Sequence, residues 1–236
     1  MIVAIHQPNF LPWLGYFYKM ARCDMFVLLD SVSFAKGSYT NRVKIKTAQG
    51  AQWLTVPVQT KGNLGTPICE ILTAKDVDWR GKICKTLETN YKACPHYQPY
   101  GDQICEIISS SGEGLSEMNI RLIEYLARQL EITVLTCRSA ALRATGKADE
   151  LLVAICRELG ATTYLSGSGG ANYQDEQTFQ AAGLELTYAN YIHRRYRQAF
   201  GEFVSGLSVV DLIFNCGPEA GDILRRAGRE ESAEKD

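Results

Sequence analysis

Residues 1–30 read MIVAIHQPNFLPWLGYFYKMARCDMFVLLD. Met1 to Ile5 is a short, unbroken apolar run, the pattern of a strand covered on both faces. Pro12 suits the first turn of a helix, and Trp13, Leu14, Phe17 and Met20 then recur at helical spacing. Met25 to Asp30 is a second apolar run, closed by a carboxylate. Strand, loop, helix and strand in this order predict a βαβ unit with a parallel pair. A plain strand-to-helix junction has no need of His6, Gln7, Asn9 and two prolines, so the polarity there points to a ligand at the strand end.

The rest of the chain extends the same alternation. In RVKIKTAQGAQWLTVPV, Val43, Ile45, Leu54, Val56 and Val58 alternate with polar residues around an AQG turn, which predicts a β-hairpin. Lys44 and Lys46 share the opposite face. Val77 to Ser110 reads as helical with a break at CPHYQP, and LSEMNIRLIEYLARQLEI is a strong amphipathic helix before a strand ITVLT. A second βαβ rhythm follows: helix DELLVAICRELG with Gly160 as its C-cap, strand ATTYLS, loop GSGGANY, helix DEQTFQAAG and strand LELTY. SVVDLIF adds a short helix. The expected fold is a single α/β domain over 1–227. It has a mainly parallel sheet flanked by helices, in nucleotidyltransferase- or Rossmann-like layering, with an inserted hairpin and helical segment. The polar stretch 228–236 is expected to be a disordered tail.

With 25 basic and 26 acidic residues, the chain carries no net field that would favour nucleic acid or an anionic membrane. No stretch approaches the roughly 20 apolar residues of a membrane span, and no cleavable leader is evident, so a cytoplasmic protein is expected. The eight cysteines, at 23, 69, 84, 94, 105, 137, 156 and 216, form no CxxC pair, which argues for reduced, structural thiols. No metal-ligand spacing is present, and no cofactor is indicated.

In open α/β sheets ligands bind beyond the carboxyl ends of the strands. Three polar stretches fall at such ends: His6, Gln7 and Asn9 after the first strand, Asp30 after the second, and Ser166, Gly167, Ser168, Gly169 and Gly170 after ATTYLS, with Tyr173 just beyond. Glycines let backbone approach a phosphate, although GSGG is equally a plain flexible turn. His6 titrates near neutrality and could handle a proton, or be a neutral strand-end histidine. The segment SFAKGSYTNRVKIK gathers Lys36, Tyr39, Asn41 and Arg42; Arg42 suits bidentate recognition of an anion and Lys36 a mobile point charge, whereas Lys46 reads as a solvated bystander. Asp30 could bind a metal, a hydroxyl or a base, or cap a turn. Trp13 and Tyr16 fit the core, Cys216 fits packing, and His193 with Arg194, Arg195 and Arg197 forms a cationic patch.

HQPNFLPWLGYFYKM, the NRVKIK hairpin with WLTVPV, the YLSGSGGANY loop and GEFVSGLSVVDLIFNCGPEA together resemble the WbqC-like protein family, from about residue 2 to 224. That bacterial family takes its name from a member in an O-antigen gene cluster, so the resemblance implies surface-polysaccharide or sugar-nucleotide biosynthesis. NFLPWLGYF is also similar in layout to the T-F-x-P loop and following helix of adenylyl- and cytidylyltransferase-like proteins. Tyr16 and Phe17 stand where that comparison expects a glycine and a phosphate-stabilising histidine. Two functions follow. One is a transferase for a phosphorylated or nucleotide-linked small molecule, with His6, Lys36 and Arg42 as catalytic residues and Gln7, Asn9, Asp30, Tyr39, Asn41, Ser166, Gly167, Ser168, Gly169 and Tyr173 binding substrate. The other is a binding or scaffold protein of the same pathway that lacks the chemistry.

Overall fold

The computed structural model describes residues 1–59 and 65–228. The first βαβ unit forms as the apolar pattern predicts: β1 spans Ile2–His6, α1 Leu14–Met20 and β2 Met25–Leu28. The hairpin follows as β3 (Arg42–Thr47) and β4 (Gly50–Thr55), then α2 (Trp79–Tyr91), α3 (Tyr97–Ser110) and α4 (Leu115–Gln129). The second half supplies β5 (Leu135–Arg138), α5 (Ala148–Glu158), β6 (Thr163–Gly167), α6 (Glu176–Ala181) and β7 (Glu185–Ala189). Helices α7 (Val209–Cys216) and α8 (Ala220–Arg226) complete the described chain.

The main sheet has the order β5-β2-β1-β6-β7, and every pairing in it is parallel. From β1 the chain builds one way, to β2 and β5, then returns to the other side of β1 with β6 and β7. The strand order therefore reverses between β1 and β6. Alternation along the strands divides the interior in two. Ala4, Phe26, Leu28 and Leu165 pack with α1, α4, α7 and α8, while Val3, Ile5, Val27 and Tyr164 pack with α5 and α6. The result is an α/β fold with helices on both faces and a separate antiparallel hairpin. No described helix is long and apolar enough to cross a membrane.

Several details depart from the sequence reading. The strand after α4 begins at Leu135, three residues later than ITVLT, because Glu131 takes a left-handed turn (φ +56°) that ends the helix. Helix α8, unforeseen, starts directly after the Gly217–Pro218 turn. The glycine stretch does not lead straight into a helix; residues Ser168–Asn172 form a 3₁₀ turn, and α6 begins later, with Asp175 accepting from the amide of Gln177 as its cap. Lys46 is no solvated bystander. Its amine is 1% exposed and donates to Gln198 Oε1 and the carbonyl of Glu202, because residues 196–204 cover that end of the hairpin. The expected disordered tail lies, from 229 onward, outside the described residues.

Candidate functional site

A cleft of about 340 Å³ opens between the carboxyl ends of β1 and β6, at the reversal of strand order. In doubly wound sheets that is where connections on either side diverge and leave a crevice. Ile5, His6 and Gln7 form one wall, Ser166 to Gly170 the other, with Tyr173 and Gln174 beyond. Trp13 and Lys19 close it from the α1 side. A larger cleft of about 530 Å³ lies between α2 and α3, but solvated charges such as Lys85 and Glu88 line it, away from the strand ends.

His6 packs edge-on against Tyr16, with ring centroids 4.7 Å apart. Its Nδ1 lies 3.3 Å from the carbonyl of Gln7, which can only accept, so Nδ1 carries the proton and Nε2 is left as an acceptor. Burial, then the nearby charge of Lys19, depresses the imidazole to about 3, against a smaller opposing effect of the Gln7 contact. The residue is only half-buried and lines the cleft, so water entering the cleft tempers that depression. At neutral pH His6 is uncharged.

Lys19 is the residue the sequence reading overlooked. Its side chain is only 3% exposed, and its Nζ donates to the carbonyl of Ile5 at 2.8 Å. Among the described residues no carboxylate pairs with it. Burial lowers its amine to about 7, with Cys23 a minor opposing influence. A buried amine without a counter-ion is costly, and such groups concentrate where chemistry or binding uses them. The signal in the sequence was a lone cation inside GYFYKM, where every other side chain is apolar or aromatic.

Close packing shapes both walls. A Cβ on Gly15 would stand 2.1 Å from the Trp13 indole, so only glycine lets that ring lie across the helix and face the cleft. Trp13 continues into Tyr191 and His193, at centroid distances of 5.4 and 5.8 Å, an aromatic edge beside the cleft. A Cβ on Gly170 would meet Ser166 Oγ at 2.2 Å and Gln174 Oε1 at 2.4 Å. Around Gly167 and Gly169, by contrast, the corresponding space is open. The Tyr16 hydroxyl and Gln174 Oε1 are buried without a hydrogen-bond partner.

The structure thus brings His6, Gln7, Ser166, Gly167, Ser168, Gly169 and Tyr173 to one cleft. Lys36, Tyr39, Asn41 and Arg42 do not line it. Their loop is braced beside it, since Thr40 Oγ1 donates to Gln7 Oε1 at 3.2 Å and the amide of Phe10 donates to the Tyr39 carbonyl at 3.0 Å. The Arg42 guanidinium stacks 4.2 Å from the Trp53 ring centroid, and Tyr39 flanks the same indole at 5.7 Å. Asn41 staples its own turn, accepting from Gly37 and donating to Val56. Asn9 is buried outside the cleft lining. Asp30 is fully enclosed and accepts from Arg138 Nε at 2.7 Å, Ala140 N at 3.0 Å and Ser139 Oγ at 3.3 Å, which joins the ends of β2 and β5. Burial pushes the Cys216 thiol up to about 11, an inert thiol.

The layering and the cleft define a doubly wound α/β protein with a cleft at its topological switch point. Residues 7–223 match the model of the WbqC-like protein family, and the chain belongs to that family. It is 36% identical over 225 residues, 94% of this chain and 97% of the relative, to the uncharacterized protein Rv1507c of Mycobacterium tuberculosis (strain ATCC 25618 / H37Rv). No solved structure matches it.

Proposed function

We propose that the protein is a cytoplasmic transferase that takes a phosphorylated or nucleotide-activated sugar into the switch-point cleft, in bacterial surface-polysaccharide biosynthesis. The observation that carries this reading is the pairing, in one cleft, of the buried Lys19 amine with the open backbone at Gly167 and Gly169. A phosphate accepting from the open backbone at Gly167 and Gly169 would hold the rest of the ligand against the Lys19 amine across the cleft. The volume of about 340 Å³ suits a sugar phosphate or half of a nucleotide sugar, and the remainder would lie over Trp13. Lys36 and Arg42, on the loop braced against Gln7, act in this reading on the part of the ligand outside the cleft. His6 Nε2 accepts a hydrogen bond from a substrate hydroxyl.

Calorimetric titration at pH 7 against sugar 1-phosphates and UDP-, GDP- and dTDP-sugars tests it. Binding is expected, weakened at least tenfold by Lys19→Met, on the order of 1.4 kcal/mol. If none of these compounds binds, or if Lys19→Met binds as the wild type does, the reading fails. The non-catalytic binder has one observation in its favour: a histidine held near 3 is a poor general base at neutral pH. Bound nucleotide sugar that is never turned over, with pathway acceptors supplied, would select that second reading.

A further inference from the structure

Lys19 and Lys46 offer an internal comparison of two buried lysines. Lys46 gives its amine to two acceptors, Gln198 Oε1 and the Glu202 carbonyl. Lys19 gives its amine to one, the carbonyl of Ile5, and the rest of its surroundings are the Phe26 ring, with Nζ 5.9 Å from the centroid, the Cys23 thiol and neutral His6. A lysine kept for structure is normally paired or fully hydrogen-bonded. Lys19 is neither, and it borders the cleft.

We propose that Lys19 is a catalytic amine, forming an imine with the carbonyl carbon of a phosphorylated aldehyde or ketone held in the switch-point cleft. This rests on the preceding reading for the phosphate of the ligand, and it names the reacting group on the same molecule. The Nζ lone pair forms the C–N bond as the carbonyl π pair moves to oxygen, which takes up a proton. The nitrogen then gives up its protons, the hydroxyl leaves as water and the C=N bond closes. Amine and carbonyl become imine and water, with no oxidant or reductant required. His6, neutral and held near 3, is no base for this step, and water in the cleft carries the proton between nitrogen and departing oxygen.

Burial supports the same assignment, since it lowers the Lys19 amine to about 7. About half of it is then the nucleophilic neutral form at pH 7, whereas an unperturbed lysine, with a pKa near 10.4, is neutral to about one part in 2,500.

Reductive trapping tests the proposal on the full chain. The protein is treated with pyridoxal 5′-phosphate, a phosphorylated aldehyde, and sodium cyanoborohydride, and adducts are mapped by peptide mass spectrometry. A dominant adduct on Lys19 is expected, with a labelling rate that rises through a midpoint near pH 7, while Lys46 and the surface lysines lag. Labels scattered over surface lysines, with Lys19 unmodified between pH 6 and 9, would overturn the proposal. Because the map is read on wild-type protein, it does not depend on a variant folding. A parallel arm uses pyridoxal, which lacks the phosphate, and at least tenfold slower labelling of Lys19 is expected. Equal labelling by both aldehydes removes the phosphate and leaves the amine standing. Binding of sugar phosphates without any Lys19 adduct removes the amine and leaves the phosphate site standing.

Discussion

Lys46 and Lys19 are almost equally buried, at 1% and 3% exposure, yet the two regions around them differ in kind. The Lys46 region is closed: its backbone amide donates to the Tyr91 hydroxyl, Tyr91 donates to Asp211 at 3.0 Å, and Tyr196 donates to the other Asp211 oxygen at 2.8 Å. Gln198 accepts from Lys46 and from the amide of Val204 and donates to the Val204 carbonyl, so the segment after His193 is held over the hairpin. At the cleft, by contrast, among the described residues Lys19 has one acceptor, the hydroxyl of Tyr16 behind His6 has none, and His6 spends one nitrogen on a backbone carbonyl. Satisfied buried networks specify a structure, whereas unsatisfied ones cost stability and persist where function uses them.

The sharpest way to break that contrast is to open the closed region. Asp211→Ala leaves two buried tyrosine hydroxyls without an acceptor and should cost about 3–4 kcal/mol in chemical denaturation, with cleft binding unchanged in the folded fraction. A loss below about 1 kcal/mol would mean that the network does not hold the fold. The opposite sign is expected from Lys19→Met, which exchanges an uncompensated amine for an apolar chain of similar length. It should gain about 1–3 kcal/mol at pH 7 and below while losing ligand affinity. The unfolded amine holds its proton up to about 10.5 and the folded one only to about 7. Wild-type stability therefore rises between those values, and the advantage of methionine shrinks over the same window. An advantage that does not depend on pH would show that the amine is not depressed.

Gly170→Ala comes next in size. Its Cβ would force Ser166 and Gln174 aside, with an expected loss of about 1–2 kcal/mol and weakened ligand binding. Gly169→Ala, where the space is open, should leave stability within about 0.5 kcal/mol, and a calorimetric or thermal scan separates the two.

What the sequence revealed and what it hid follow from the same physics. Unbroken apolar runs made β1 and β2 legible, and punctuation by Gly160 and the AQG turn marked a helix end and the hairpin, because those signals are local. The convergence of His6, Gln7 and Ser166 to Gly169 was legible too, since strand ends in a parallel sheet lie along one edge. The roles of single polar residues were not. Lys19 went unread, because α1 is buried all round, between the sheet and α8, and so has no solvent face to offer. Asp30 looked available, but Arg138 and Ser139, more than 100 residues away in the chain, take its oxygens. Lys46 looked solvated until residues 196–204 folded over it. Each was settled by partners distant in sequence, which no local pattern encodes.

The smallest expected effect concerns His6, and it probes whether the cleft is as unsatisfied as the geometry indicates. The free imidazole titrates near 6.5 and the folded one near 3. As pH falls through this window the unfolded chain takes up a proton that the folded chain refuses, so stability is lost between about 6.5 and 3 and no further below. Because His6 is only half-buried, the loss should be about 1 kcal/mol rather than the full value of the shift. His6→Gln lacks the titration, and urea unfolding at pH 7, 5.5 and 4.5 should show the wild type declining more steeply, the carboxylates common to both cancelling in the difference. Parallel decline would mean that the ring charges freely in the folded protein. Burial is the first cause of the depression and the Lys19 charge the second. In a Lys19→Met background the extra decline should therefore shrink without vanishing, which ties the two cleft residues together energetically.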